Sequence, residues 1–377
     1  MNRAFTLLLL LIVRGVAASD STYLANVSDA DLLLTDPQKK SRPCMCQFGY
    51  GLYFHHIPVN EVTQIIEPGR WGNHSFGRPS RREKNGLIYT CRGGFVDSSH
   101  ARAGADWTAH LAVRIARFLA DPSQGEFLKM DFAPDRAALR IEIPRPAVAL
   151  RDADILVLAQ RIAYERLLWH EIGSWYTTPP IKIVSERISA FSPEDAYSNL
   201  LGTYIGAEAI ANATPSFTRA VDAAIQNWMK ELGEVDSVDA TKAAFDAVDG
   251  DWWDKKGSFP SPECVMKREV RVFGQVQPWL IPTPEVAGCG ADSQPKTLAV
   301  PDRTLDGRML TDLYRFLITP EDKIFTKTDG VRLPPVFSSA ELPGIVDLVA
   351  QDLRRVLGPY STPSNSPSSN RSSSSAQ

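Results

Sequence analysis

Between Asp152 and Tyr176 apolar residues recur at helical spacing with little interruption. At about 100° per residue, Leu156, Ala159, Ala163, Leu167 and His170 fall on one face. The run must stop before Pro179-Pro180, because proline lacks an amide proton and clashes with the preceding turn. Two other segments share the period. Asp97 and Ser98 are good caps for a helix over Ala101–Leu119, whose buried face carries His100, Ala103, Gly104, Trp107, Leu111, Ile115 and Phe118. Ser192-Pro193 suits a cap followed by a first helical position, opening a helix that runs to about Ala213. Gly202, Gly206 and Ala209 let that helix approach a neighbour closely, and Ala103 and Gly104 leave room for another helix or a ligand. Asp106 and His110, four apart, form a pair on the flank of the first helix.

Further helices are expected over Phe217–Leu232, Asp239–Val248, Gly307–Ile318 and Ser339–Leu357. Strand patterns are shorter. They cover Gly86–Cys91, ended by Gly93-Gly94, then Ile181–Phe191 and Lys267–Phe273. Glu126–Phe132 and Ala137–Ile143 form a hairpin around Ala133-Pro-Asp135, and Cys44–Val59 reads as strands or a glycine-kinked loop. His55 and His56, adjacent on a strand, point to opposite faces and do not chelate one ion together. Residues 67–85 read as a loop containing His74. The fold class is therefore α+β, predominantly helical, with short strands and hairpins around three or more packed helices.

The ends differ from the middle. A basic start, an apolar run from Ala4 to Val13 and small residues at Val16-Ala-Ala18 predict a secretory signal peptide over residues 1–18. Residues 19–40 read as poorly ordered, 41–358 as one globular domain, and the Ser-rich 359–377 as a disordered tail. No segment is expected to span a membrane, which takes roughly 20 apolar residues. The expected location is periplasmic or extracellular, with cell-envelope association open. Losing Arg3 and Arg14 with the signal, and no acid, moves the formal charge from −3 to −5. An acidic chain whose one basic cluster is Arg78–Lys84 lacks the clustered cations that nucleic acid requires. In an oxidising compartment cysteines pair. Cys264 and Cys289, in a Pro- and Gly-rich region, are expected to form a disulfide, and Cys44 or Cys46 offers one sulfur to Cys91.

The candidate chemistry sits at the end of the central helix, in His170-Glu171-Ile-Gly-Ser174. The zinc-hydrolase helix motif is His-Glu-x-x-His, and here Ser174 fills the second histidine position. Glu194 and Asp195, at the start of the next helix, lie where some zinc hydrolases draw a further ligand. His100 stands in for the absent histidine. This reading has zinc or another divalent metal on His100, His170 and Glu194 or Asp195, with Glu171 as the base. Asp97, Arg102, Asp106, Trp107, Trp175 and Asn199 complete the candidate list. A bland reading competes with it: His170 as a hydrogen-bonded core residue, and the two acids as favourable charges at a helix N-terminus. A serine triad through Ser98 or Ser99 lacks the Gly-x-Ser-x-Gly elbow. The two functions carried forward are a metal-dependent hydrolase and a non-catalytic cell-envelope protein whose buried polar cluster fixes helix packing.

Three segments carry a family resemblance: Arg42-Pro-Cys44 with Phe48-Gly49; Asn85–Asp97 with His100-x-Arg102 and Ala105-Asp-Trp107; and His170–Tyr176 with Ser192–Asp195 and Tyr197–Gly202. Together they resemble an exported bacterial family, domain of unknown function 4056. The resemblance spans about residues 40–350 and implies one domain and export, but no reaction.

Overall fold

The computed structural model describes residues 24–27, 37, 52–54, 57–59, 65–77, 82–132, 136–176, 190–213, 216–253, 272–291, 293–321 and 335–357, with backbone alone at 52–54, 57–59 and 354–357. Of the expected features, the 1–18 signal, the 359–377 tail, His55-His56, Cys44, Cys46 and Cys264 lie outside these residues, as do most of the strands at 181–191 and 267–273.

The first strands are β1 (Leu52–Phe54) and β2 (Ile57–Val59), an antiparallel pair. Next, β3 (Leu87–Thr90) turns through Gly93-Gly94 into β4 (Gly94–Asp97). The glycines thus make a hairpin rather than a simple stop. Gly94 has φ 64 and lies hard against the Trp279 carbonyl, where no side chain fits. β4 runs directly into helix α1 (Ser98–Ala120), capped by Asp97, whose carboxylate accepts the Ser99 amide at 2.6 Å.

β5 (Phe127–Phe132) and β6 (Ala137–Pro144) follow as the expected hairpin. Helix α2 (Asp152–Tyr176) is buried almost all round, so the charges it carries inside must be paired. Glu165 takes a hydrogen bond from Arg161 at 2.7 Å and another from the Tyr314 hydroxyl at 2.7 Å. Helix α3 (Asp195–Ala211) begins later than the Ser192-Pro193 signal suggests. Ser192, Pro193 and Glu194 form a turn closed by the Asp195 amide on the Ser192 carbonyl at 3.0 Å, and Glu194 takes the cap position without a side-chain bond. The carboxylate of Asp195 reaches back to the Ser192 amide at 2.7 Å, so the aspartate, not the serine, ties down the helix entry.

The three helices form the core. α1 and α3 approach backbone to backbone through their small residues. A Cβ on Gly206 would meet the Ala105 carbonyl oxygen at 2.6 Å, and one on Gly104 the Gly202 carbonyl carbon at 2.8 Å. The room beside Gly104 is filled by a helix. α4 (Phe217–Leu232) matches its expected limits and ends at Gly233, φ 70; α5 (Val238–Asp246) follows. Both start at serine caps, Ser216 and Ser237.

The two-residue strands β7 (Gln275–Val276) and β8 (Leu298–Ala299) pair with each other. The helix expected over Gly307–Ile318 is a strand instead. After a single 3-10 turn at Leu310–Asp312 the chain enters β9 (Arg315–Pro320), where Phe316 and Ile318 are buried and Arg315 is exposed. The burial there alternates with period two, and β6 offers an edge that satisfies its backbone. With β10 (Phe337–Ser338) the sheet order is β10-β9-β6-β5, all antiparallel. Helix α6 (Leu342–Leu357) closes the described chain.

Cys289 bonds to Cys91, with Cα atoms 5.4 Å apart and 198 residues between them in sequence. The expected Cys264–Cys289 pairing is therefore replaced. Proximity along an irregular stretch pointed to Cys264, whereas the fold lays the segment after β7 against the end of β3.

Candidate metal centre

His100 enters from the first turn of α1, Glu171 from the last turns of α2, and Asp195 from the first residue of α3. One ligand atom from each lies within 4.8 Å of the others, and all three residues are buried. His100 Nδ1 is 3.2 Å from Asp195 Oδ1 and 3.8 Å from Asp97 Oδ2, while Nε2 is 4.0 Å from Glu171 Oε1. Glu171 also accepts the Phe191 amide at 3.3 Å and the Asn199 side-chain amide at 3.4 Å. Glu194 adjoins the cluster through Ser192, whose hydroxyl donates to Oε1 at 2.8 Å. Glu194 Oε2, Asp195 Oδ1 and Asn199 Oδ1 are buried and accept no hydrogen bond.

Burial, reinforced by the Asp195 charge, raises both Glu171 and Glu194 well above the ordinary carboxyl range. Burial also raises Asp97, against the pull of His100 and the Ser99 amide. For His100, burial opposes the charged ring, but Asp97, Asp195 and Glu194 outweigh it and its pKa is raised. The cluster has more acid than it can ionise at once.

His170 is not part of it. Its Nδ1 lies 3.4 Å from Arg136 Nη1, on a different face of α2 from Glu171, because consecutive helical residues differ by about 100°. The half-motif thus splits: its glutamate, not its histidine, joins the group that could hold an ion. Of the remaining candidates, Asp97 and Asn199 belong to the centre. Arg102 points to the Trp71 carbonyl at 2.5 Å and lies 3.8 Å from Asp222. Asp106 pairs with His74 at 2.9 Å and accepts the Gly77 amide at 2.9 Å. His110 meets the Trp107 ring edge-on. Trp107 also packs on Phe132 and Arg166, and Trp175 donates to Asp352 at 3.0 Å. These tryptophans are core.

Sequence reasoning placed Ser192-Pro193 at a helix start and missed the part that the Phe191 and Ser192 backbone plays. Phe191 is buried with φ 55, a conformation unfavourable for a bulky residue. That conformation aims two successive amides, its own and that of Ser192, at Glu171 and Asp195. No local residue pattern announces it.

Fold and site define a mainly helical α+β protein with a buried imidazole–carboxylate centre at the junction of three helices. The chain belongs to the family described as Protein of unknown function (DUF4056), whose model matches residues 33–282. The match takes in every residue of the centre and stops before Cys289, short of the expected 350. No curated protein and no solved structure matches it.

Proposed function

We propose that His100, Glu171 and Asp195 hold a divalent metal ion and that the protein is an exported metal-dependent hydrolase. One observation carries the metal: Glu171, Glu194 and Asp195 are buried together, and among the described residues the one basic group in ion-pair range of Glu171 and Asp195 is His100. Buried charge requires pairing or a cation. A divalent ion supplies what three carboxyls and one imidazole lack.

One nitrogen and two oxygens suit zinc, or manganese, better than a thiophilic or an all-oxygen ion. Three protein ligands would match the number that catalytic rather than structural zinc sites use. When bound, such an ion lowers the pKa of its water and polarises a substrate carbonyl or phosphoryl. Glu194, with a buried oxygen accepting no hydrogen bond, would serve as a proton acceptor beside a bound ion. Asn199 and the Phe191 amide orient Glu171, as outer partners orient ligands.

Export is supported by the Cys91–Cys289 bond, since such bonds persist in oxidising compartments. Among the described residues no helix is long and apolar enough to cross a membrane. Association with the cell envelope belongs to the same proposal.

The second reading, a non-catalytic envelope protein, has the same bonds in its favour, because they also join α2, α3 and the intervening turn. Elemental analysis of protein purified without chelator separates the two. Near-stoichiometric zinc or manganese, lost in His100→Ala, supports the metal centre. Folded protein that carries no metal and takes none on titration decides for the packing role.

A further inference from the structure

The buried polar side chains of α3 fall into two groups. The Tyr197 hydroxyl donates to the Lys296 carbonyl at 2.7 Å, Tyr204 to the Ala299 carbonyl at 2.7 Å, and Thr203 to the Leu200 carbonyl at 2.8 Å. The Ser198 hydroxyl accepts the Asp97 amide at 2.9 Å. Asp195 and Asn199 differ: among the described residues, nothing donates to Oδ1 of either. Four residues apart on one helix, they share a face one turn from each other. That face is the one turned to His100 and Glu171.

Asn199 stands in the interior of α3, 2 % exposed, where asparagine is a poor helix former. Its Nδ2 lies 3.4 Å from Glu171 Oε1, which seats the amide beside a carboxylate of the centre. The oxygen of the same amide is then buried without a donor, a costly arrangement for a carbonyl. α1 does not relieve it. The α1 residue packed on this turn of α3 is Gly104, which lies against the Asn199 backbone and brings no side chain to bond the oxygen.

We propose that the Asn199 side-chain oxygen is a fourth protein ligand of the ion and strengthens manganese binding far more than zinc binding. The inference rests on the reading of His100, Glu171 and Asp195 as metal ligands. An amide carbonyl is a neutral, hard oxygen donor of the kind that manganese, magnesium and calcium take. The imidazole favours manganese among these, because the other two draw their ligands from oxygen. Zinc fills its four positions with three protein ligands and a water, and so gains little from the amide. Octahedral manganese accepts all four protein groups and keeps positions for water. The two ends of the amide thus have separate roles: Nδ2 holds Glu171, and Oδ1 meets the ion.

The test uses the whole chain, stripped with chelator and titrated with manganese or zinc alone. Free manganese is read by its EPR signal, and zinc by competition with a chromophoric chelator. Asn199→Ala should weaken manganese by about tenfold or more and zinc by less than about threefold, since the Phe191 amide still holds Glu171. Asn199→Asp keeps an oxygen in place while ending the donation to Glu171, and should bind manganese at least as tightly as the native chain. A purely orienting role predicts that both substitutions weaken both ions alike, and that result overturns the inference. Pulsed EPR of the manganese-loaded native chain, its asparagine side-chain carbonyls enriched in the magnetic isotope of carbon, depends on no variant folding. A direct bond gives strong coupling to that carbon, and its absence overturns the fourth ligand. A native chain that takes neither ion sinks the metal reading and this one together. Ion binding without the carbon coupling sinks this one alone.

Discussion

Two consecutive residues on α2 have separate fates, and the helical rotation between them is the reason. Glu171 turns inward to His100 and Asp195, and His170 turns toward Arg136. Substitutions should divide the same way. His100→Ala and Asp195→Asn should each lower zinc affinity by tenfold or more, and Glu171→Gln should do the same, since an amide is a poor anionic ligand. His170→Ala should keep its metal in elemental analysis; losing it would mean that the ligand set is wrongly drawn.

The raised carboxyls also set a pH dependence. Folded, metal-free protein keeps protons on Glu171 and Glu194 that the unfolded chain releases near the ordinary glutamate value of 4.5. Between those pKa values the native state binds more protons, so stability falls as pH rises. The raised His100 pushes the same way, its contribution being lost as pH climbs through its folded pKa. Melting temperature of chelated protein should therefore decline from about pH 5.5 to about pH 7.5. Zinc should oppose that decline, because it binds the deprotonated ligands. A chelated protein that gains stability over this range would contradict the buried-acid description.

Packing of α1 against α3 depends on glycines rather than on large side chains. Gly206→Ala puts a methyl group against the Ala105 backbone, which has no flexible side chain to move aside. It should destabilise by roughly 1–3 kcal/mol in urea denaturation. Gly344, near the start of α6, has nothing within 4 Å of the added carbon. Gly344→Ala should be neutral or stabilise by about 0.4–1 kcal/mol through the unfolded chain's entropy. Equal effects at the two sites would mean that the close approach is absent. The elements differed in how plainly they could be read. α4 has a wide apolar stripe, a serine cap and a terminal glycine, so its limits were readable. At β9, apolar residues satisfy a helical and a strand spacing over so short a run that only the free edge of β6 decides.

Across the whole molecule, Cys91–Cys289 joins two segments 198 residues apart. Removing it with Cys289→Ser should lower stability by about 2–5 kcal/mol, chiefly by freeing the unfolded chain. Non-reducing peptide mapping should recover Cys91 and Cys289 in one cross-linked species, and Cys264→Ser should leave that species unchanged. Finding Cys289 joined to Cys264 would restore the pairing expected from their nearness in sequence.

Periodicity, caps and prolines are local signals, and they determined the three core helices, the β5–β6 hairpin and the helical α+β class. They also brought out His100, Glu171 and Asp195 as polar residues on segments otherwise built to be buried. Local signals could not choose between His170 and Glu171, because either face of a helix buried all round can meet a neighbour. That choice came from the crossing of α1, α2 and α3, of which α1 and α3 meet backbone to backbone at Gly104, Gly202 and Gly206. The cysteine partner, the His74–Asp106 pair and the Phe191 turn were likewise tertiary decisions. Each joins groups whose separation in space bears no relation to their separation along the chain.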